Sequence, residues 1–296
     1  MAEKNIQIKE SPYACHQIDG KIPVIVYGSC AGNVCKYCDR KLFDDGFNKL
    51  PTIYEGDLES VTNQLEGFLG AYLCASGDAF SPKNRETTHN LLKRIFEKTI
   101  RFVPSIITKN TIPEKTYQLL GENKGRIILG YSLPSYDECF AREIEPSSAT
   151  IQERVETMRR LSLMEIKVIW HAMPLIYSKR EDMEKLVELV STTGVKKAIM
   201  SPLAIPNQRR DYFVNHHLRE LRDFARACTE FEQLGTRKAW TLPLEVLIQM
   251  SEEFSEISDS RGIKTEICAV TLNPRLIGAT HNLKLCTKIK HKNFKK

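Results

Sequence analysis

Three cysteines, Cys30, Cys35 and Cys38, fall within nine residues of one another in the stretch Gly28-Ser29-Cys30-Ala31-Gly32-Asn33-Val34-Cys35-Lys36-Tyr37-Cys38-Asp39. A short apolar run, Ile22 to Tyr27, precedes them and reads as a strand, which puts the thiols on a loop that opens with a glycine. Soft thiolates this close together can converge on one metal or cluster without help from remote parts of the chain. Three ligands is the informative number. A closed structural zinc site takes four, whereas a cubane iron–sulfur cluster held by three leaves one iron open to another ligand. Two other readings of the spacing stand beside that one. His16 or a distant cysteine would complete a zinc knuckle, and free cysteines also pack as small apolar side chains.

Composition decides the setting. With 296 residues, 42% of them apolar and 27% charged, the chain suits one large α/β domain or two small ones. No apolar stretch reaches the roughly 18 residues of a membrane span. The first residues, Met1-Ala2-Glu3-Lys4-Asn5, are polar and unlike a signal peptide. A reducing cytoplasm is therefore the expected location, the host's if the protein is viral. There, nine cysteines, an odd number, mean ligands or catalysis more than disulfides. The net charge of +6 is unevenly spread, because no acidic residue follows Glu266. The tail beyond it carries Arg275, Lys284, Lys288, Lys290, Lys292, Lys295 and Lys296. Such a run is either a solvated tail or a phosphate-binding one, since lysines release condensed counterions from nucleic acid.

Strand-like and helix-like segments alternate after the cysteine loop. Asp57 is placed to cap a helix with Leu58, Val61, Leu65 and Leu69 at helical spacing. The run Ala71 to Ala75 follows, then a helix marked by Leu91, Leu92, Ile95 and Phe96, and a strand from Phe102 to Thr108. A short helix starts at Pro113 and ends near Gly121, and Arg126 to Ser132 is a further strand. Thr150 and Glu153 form a capping-box pattern before a helix with Val155, Met158 and Leu161 on one face. A strand from Ile166 to Ala172, a helix from Glu181 to Thr192 and a strand from Lys197 to Ser201 complete the alternation. The pattern predicts parallel strands with helical crossovers, an open partial (β/α)6 barrel over 22–205. An N-terminal extension (1–21) precedes it, and a helical, basic C-terminal extension (206–296) follows, with helices at Asp211 to Leu234 and Leu244 to Ile257.

Working residues of such barrels sit at the C-terminal ends of strands. Those positions hold Cys30 to Cys38, Cys74-Ala75-Ser76, Thr108-Lys109, Ser132 and Ala172-Met173-Pro174. Thiols, hydroxyls and one lysine would thus ring a common mouth. Taken singly, a lysine after a buried strand is more often a snorkelling surface residue.

These segments resemble the radical SAM superfamily, and within it the spore photoproduct lyase family. The cysteine loop has that family's tyrosine, Tyr37, before its third cysteine, and Cys74-Ala75-Ser76-Gly77-Asp78 resembles the segment that carries the lyase's hydrogen-donating cysteine. Ile107-Thr108-Lys109 is similar to its strand-end Thr-Lys pair, and Tyr131-Ser132-Leu133 to its serine strand. The most specific match is Ile144-Glu145-Pro146 through Glu153-Arg154, followed by Met173-Pro174-Leu175-Ile176-Tyr177. The resemblance runs from about Val26 to Tyr177. It departs from the family in a first cysteine spacing one residue longer, in Asp39 where the lyase has a second tyrosine, in the short segment before the cluster, and in a C-terminal part where no lesion-binding hairpin is recognised.

The resemblance implies that Cys30, Cys35 and Cys38 hold a [4Fe–4S] cluster whose free iron binds S-adenosylmethionine. It implies that Lys109 pairs with the methionyl carboxylate, that Ser76 and Ser132 hydrogen-bond to the cofactor, and that Cys74 and Tyr37 belong to the catalytic set. For Cys74 the alternative is simple packing, because cysteine is often buried. The implied substrate is a thymine-derived base in DNA, with a flavodoxin or ferredoxin as electron donor and no membrane partner. Two outcomes fit, and the compact length and Asp39 favour the first: isomerisation of N-linked to C-linked glycinylthymine in viral-type hypermodification. The other is cleavage of a methylene-bridged thymine lesion. A non-catalytic cysteine-cluster module that binds nucleic acid is the reading from a different class.

Overall fold

The structure is a computed structural model that describes residues 9–11, 22–25, 35–38, 62–63, 70–74, 77–98, 102–176, 179–233 and 237–268. Short runs of β-branched and apolar residues form the strands β2 (Ile22–Ile25), β3 (Gly70–Leu73), β4 (Val103–Thr108), β5 (Ile128–Ser132), β6 (Lys167–Leu175) and β7 (Lys197–Pro202), and the polar segment Lys-Glu-Ser forms β1 (Lys9–Ser11). Strands β2 to β7 pair in chain order, each parallel to the last, and β1 lies antiparallel on the β2 edge. Parallel neighbours need crossovers, which the helices supply. These are α1 (Arg85–Lys98) between β3 and β4, α2 (Glu114–Glu122) between β4 and β5, α3 (Glu138–Ile144) and α4 (Ile151–Leu163) between β5 and β6, and α5 (Arg180–Ser191) between β6 and β7. The two edge strands of the sheet are not paired to each other among the described residues, so the barrel is partial. Of the helix expected after Asp57, Thr62 and Asn63 are described and are helical, and the other positions lie outside the described residues.

Alternation along the strands divides the sheet into two faces. On β6, Val168, Trp170 and Ala172 join the large core under the helices, while Ile169 joins Ile128, Ile199 and Cys268 on the opposite face. The helices turn inward the residues that their periodicity marks. Leu91, Leu92 and Ile95 of α1 are fully buried, as are Met158 and Leu161 of α4. The capping box is formed as read: Glu153 N–H donates to Thr150 Oγ1 at 3.1 Å, and Thr150 N–H donates to Glu153 Oε2 at 2.8 Å. Gly130 on β5 is required by close approach, because a Cβ there would lie 2.7 Å from His171 Nε2 and 2.8 Å from Ile107 Cγ1.

The C-terminal segment differs from its sequence reading. In place of one helix from Asp211 to Leu234 there are α6 (Arg210–Val214) and α7 (Arg219–Ala227), then a hairpin of β9 (Thr229–Gln233) and β10 (Arg237–Thr241). His216 breaks the helix, since its Nδ1 accepts the Leu218 N–H at 3.0 Å, a donor that a continuous helix would commit to a backbone carbonyl. Strand β10 also pairs with β8 (Ile205–Pro206), making a separate three-stranded antiparallel sheet. The long helix α8 (Leu244–Ser260) extends the expected one by a turn and packs Phe254 on Trp170 at 5.4 Å between ring centroids. Strand β11 (Lys264–Ile267) then runs parallel to β7, so the barrel sheet takes its last strand from the C-terminal segment. No helix among the described residues is long and apolar enough to cross a membrane. The basic tail beyond Cys268 lies outside the described residues.

Candidate functional site

The strand ends converge on one buried charge network. Asp78, just past β3, ties that loop to the end of β4: its carboxylate accepts Thr108 Oγ1–H at 2.6 Å, Lys109 N–H at 2.8 Å and Phe80 N–H at 3.0 Å. Lys109 is thereby fixed at its backbone, and its ammonium reaches across the mouth. It donates to Glu145 Oε1 and to the Tyr37 hydroxyl, both at 2.8 Å, and lies 3.6 Å from Cys35 Sγ. Glu145 follows α3, and its other oxygen, Oε2, accepts Arg154 Nη1–H at 2.5 Å. Tyr37 also donates its phenolic proton to Glu145 Oε1. Arg154, on α4, is completely enclosed and donates as well to Ala149 O at 2.8 Å and Ser132 O at 3.2 Å.

The cysteine turn docks onto this network. Cys38 N–H donates to Cys35 O at 3.2 Å, which closes a tight turn, and Lys36 N–H donates to Ile144 O at 2.9 Å, beside Glu145. Two thiols on one turn, with a buried cation against one of them, suit a thiolate-ligated metal or cluster. Cys30 and Ser76 lie outside the described residues, so the third ligand and that hydroxyl are not located.

Electrostatics follow from the geometry. Burial pushes the Glu145 carboxyl up, but Lys109 and Arg154 override it and hold it down at about 2. Burial pushes the Lys109 ammonium down, and Glu145 and Tyr37 more than restore it, so it stays charged. Burial, then the Glu145 charge, raise Tyr37 well above an ordinary phenol, which keeps it a neutral donor. Burial raises the Cys35 thiol, against the pull of Lys109. One carboxylate, Glu145, thus bridges two cations, Lys109 and Arg154.

An acid titration reads this network directly. A carboxyl at about 2 in the folded protein and 4.5 when unfolded contributes stability that is fully present above pH 4.5 and is lost as pH falls through 2. The contribution is on the order of 3 kcal/mol. Urea midpoints measured from pH 6 to pH 2 should fall steeply below about pH 4.5 in the native protein and less steeply in Glu145→Gln. Equal slopes would contradict the assignment.

Other expected residues are placed as follows. Ser132, at the end of β5, donates its hydroxyl to Met173 O at 3.2 Å, next to the cis Met173-Pro174 bond. Cys74 follows β3 in a left-handed backbone conformation, φ +56°, with its side chain 1% exposed in the core under the helices. Its sulfur accepts Asn84 Nδ2–H at 3.7 Å. The sequence reading placed Lys109 and Tyr37 near the cofactor but missed their partner Glu145, which stood only as part of a motif. The signal was available in kind, since an Arg and a Lys on neighbouring buried elements require a carboxylate.

A second cluster borders the cysteine turn. Glu143, His216 and His217 carry ligand atoms within 4.8 Å of one another. Because His216 Nδ1 accepts the Leu218 N–H, its proton sits on Nε2, where it faces Glu143 Oε1 at 3.2 Å and the Tyr212 hydroxyl at 2.9 Å. That tautomer spends the nitrogen that a metal would need. Burial lowers the His216 pKa, so the ring is a neutral hydrogen-bond bridge.

This architecture is the partial radical SAM barrel, and it is shared with enzymes of known structure. Spore photoproduct lyase complexed with dinucleoside spore photoproduct matches with a TM-score of 0.63 at 12% identity, over 89% of this chain and 79% of that one. A lyase variant with bound AdoMet and the same dinucleoside gives 0.64 at 12% identity, with the same coverage. SuiB of Streptococcus suis bound to S-adenosylmethionine gives 0.55 at 15% identity, over 84% of this chain and 49% of SuiB. In sequence, 129 residues are 26% identical to the uncharacterized protein ORF301 of Acidianus two-tailed virus, a stretch that covers 42% of each protein. No family model matches the chain.

Proposed function

We propose that this protein is a radical SAM enzyme that acts on a modified thymine base in DNA. The observation that carries the reading is the Cys35–Cys38 turn at the mouth of the partial barrel, with the Lys109 ammonium 3.6 Å from Cys35 Sγ. The donor set fits the group: Cys35 and Cys38, with Cys30 as the third thiolate, would hold three irons of a [4Fe–4S] cluster. When bound, the cluster and S-adenosylmethionine supply a 5′-deoxyadenosyl radical able to abstract an unactivated hydrogen. Lys109 offers a cation for the methionyl carboxylate, a charge-assisted contact. Ser132, at the end of β5, offers a hydroxyl at the same rim, and the resemblance to the lyase family adds Ser76 as a second. Tyr37, neutral and hydrogen-bonded to Glu145, keeps the cysteine turn seated. Electrons would come from a flavodoxin or ferredoxin. The basic tail, with six lysines after Asn282, supports DNA as the partner through backbone phosphates.

Of the two reactions, isomerisation of N-linked to C-linked glycinylthymine is favoured over lesion cleavage. A lyase needs a hydrogen donor at the substrate, and the burial of Cys74 beside Asn84 supports a reaction that does not depend on its thiol. An isomerase recovers its hydrogen from 5′-deoxyadenosine and needs no such thiol. A relative encoded by a virus suits a viral hypermodification pathway in the host cytoplasm. The test is mass spectrometry of nucleosides from DNA carrying the N-linked base, incubated with reduced enzyme and S-adenosylmethionine. The expected product has unchanged mass and a new retention time. Cys74→Ala should give the same product. Conversion of spore photoproduct to thymines, with misquenched products from Cys74→Ala, would establish the lyase instead. A protein that binds DNA but takes up zinc and no iron would be the non-catalytic module.

A further inference from the structure

The Lys109 ammonium has three hydrogens, and three partners already surround it: Glu145 Oε1 and the Tyr37 hydroxyl at 2.8 Å each, and Cys35 Sγ at 3.6 Å. Glu145 is not held by Lys109 alone. Its second oxygen is held by Arg154, which is anchored independently on Ala149 O and Ser132 O. The Lys109 side chain is 19% exposed, whereas those of Glu145 and Arg154 are 0% and 1% exposed. Lys109 is therefore the member of the trio that opens to the mouth, and Glu145 would keep a full ion pair if Lys109 left it.

We propose that Glu145 is an internal stand-in for the cofactor's carboxylate: it pairs with Lys109 and yields it when the carboxylate of S-adenosylmethionine arrives. The inference rests on the reading of Lys109 as the carboxylate anchor. Arg154 holds Glu145 Oε2 whether or not Lys109 stays on Oε1, so an incoming carboxylate takes Lys109 without stripping Arg154. Glu145 thereby competes with any carboxylate that reaches Lys109. Glu145 is a positioning residue that acts through Lys109, and it touches neither cofactor nor substrate. As Lys109 turns outward, Tyr37 keeps its bond to Glu145, so the cysteine turn stays docked during the exchange.

The test is a binding cycle on anaerobically reconstituted protein with iron content matched between variants. Dissociation constants are measured for S-adenosylmethionine and for its decarboxylated analogue. Removing the competing carboxylate in Glu145→Gln should tighten S-adenosylmethionine binding on the order of tenfold and leave the analogue nearly unchanged. Glu145→Asp keeps the buried charge that Arg154 needs while withdrawing it from Lys109, so it should fold as the native protein does and tighten binding in the same direction. Unchanged or weaker binding in either folded variant would overturn the exchange. Lys109→Met separates the two levels of the argument. It should cost S-adenosylmethionine affinity and spare the analogue, and if it spares both, the anchor itself is misassigned.

Discussion

Cys35→Ala protein, given iron and sulfide under anaerobic conditions, should lose the cluster and with it all cleavage of S-adenosylmethionine. In the proposed cluster three thiolates would hold three of four irons, and removal of any one would leave a further iron without its protein ligand. Cys35 is also the thiol that the Lys109 ammonium approaches. Cys38→Ala should behave alike, because both sulfurs ride on the turn closed by the Cys38 N–H to Cys35 O bond. Iron and sulfide analysis with visible absorbance checks the first half, and quantified 5′-deoxyadenosine the second. Full cleavage by Cys35→Ala would remove the cysteine turn from the active site.

The second large effect is on stability. Arg154→Ala should cost about 3–5 kcal/mol, the usual result of breaking a buried ion pair by removing one partner. A domain of this kind has only about 5–15 kcal/mol in total, so the variant should be half-unfolded by modest heating or low urea. The mechanism is specific: Glu145 loses the partner of Oε2, and the Ala149 and Ser132 carbonyls lose a buried donor. Arg160→Ala, on the same helix, is the control. Its pair with Glu114 is solvent-exposed, with side chains 43% and 70% accessible, and such pairs contribute about 0–1 kcal/mol. Equal losses in the two variants, read from urea midpoints, would contradict the burial argument.

The sequence carried the barrel well because period and chain order coincide there. Each apolar run of β3 to β6 is followed by a helix whose buried stripe is plain, as with Leu91, Leu92 and Ile95 of α1, and parallel strands in sequence order follow from that alternation. The C-terminal segment was less legible. Helical spacing from Asp211 onward hid the break at His216, which depends on a side-chain acceptor for the Leu218 N–H, and the hairpin beyond it depends on pairing between β9 and β10. Strand β11 is four residues long and is fixed as part of the barrel by pairing with β7. At the site, strand-end position placed Lys109 just after β4 and Ser132 at the end of β5. It did not find the pairing of Lys109 with Glu145, because residues 36 apart in sequence meet only through the docking of α3 and α4 on the sheet. Cys74 shows the same limit from the other side. Its place at a strand end was read correctly, but the direction of its thiol is set by φ +56° and by Asn84.

The most direct measurement of the central claim is 5′-deoxyadenosine formed by the reconstituted, chemically reduced native protein with S-adenosylmethionine, with Cys35→Ala alongside. The account predicts iron near four per chain, 5′-deoxyadenosine from the native protein and none above background from Cys35→Ala. A native protein that holds such a cluster and forms no 5′-deoxyadenosine, or one that holds only zinc, would contradict it.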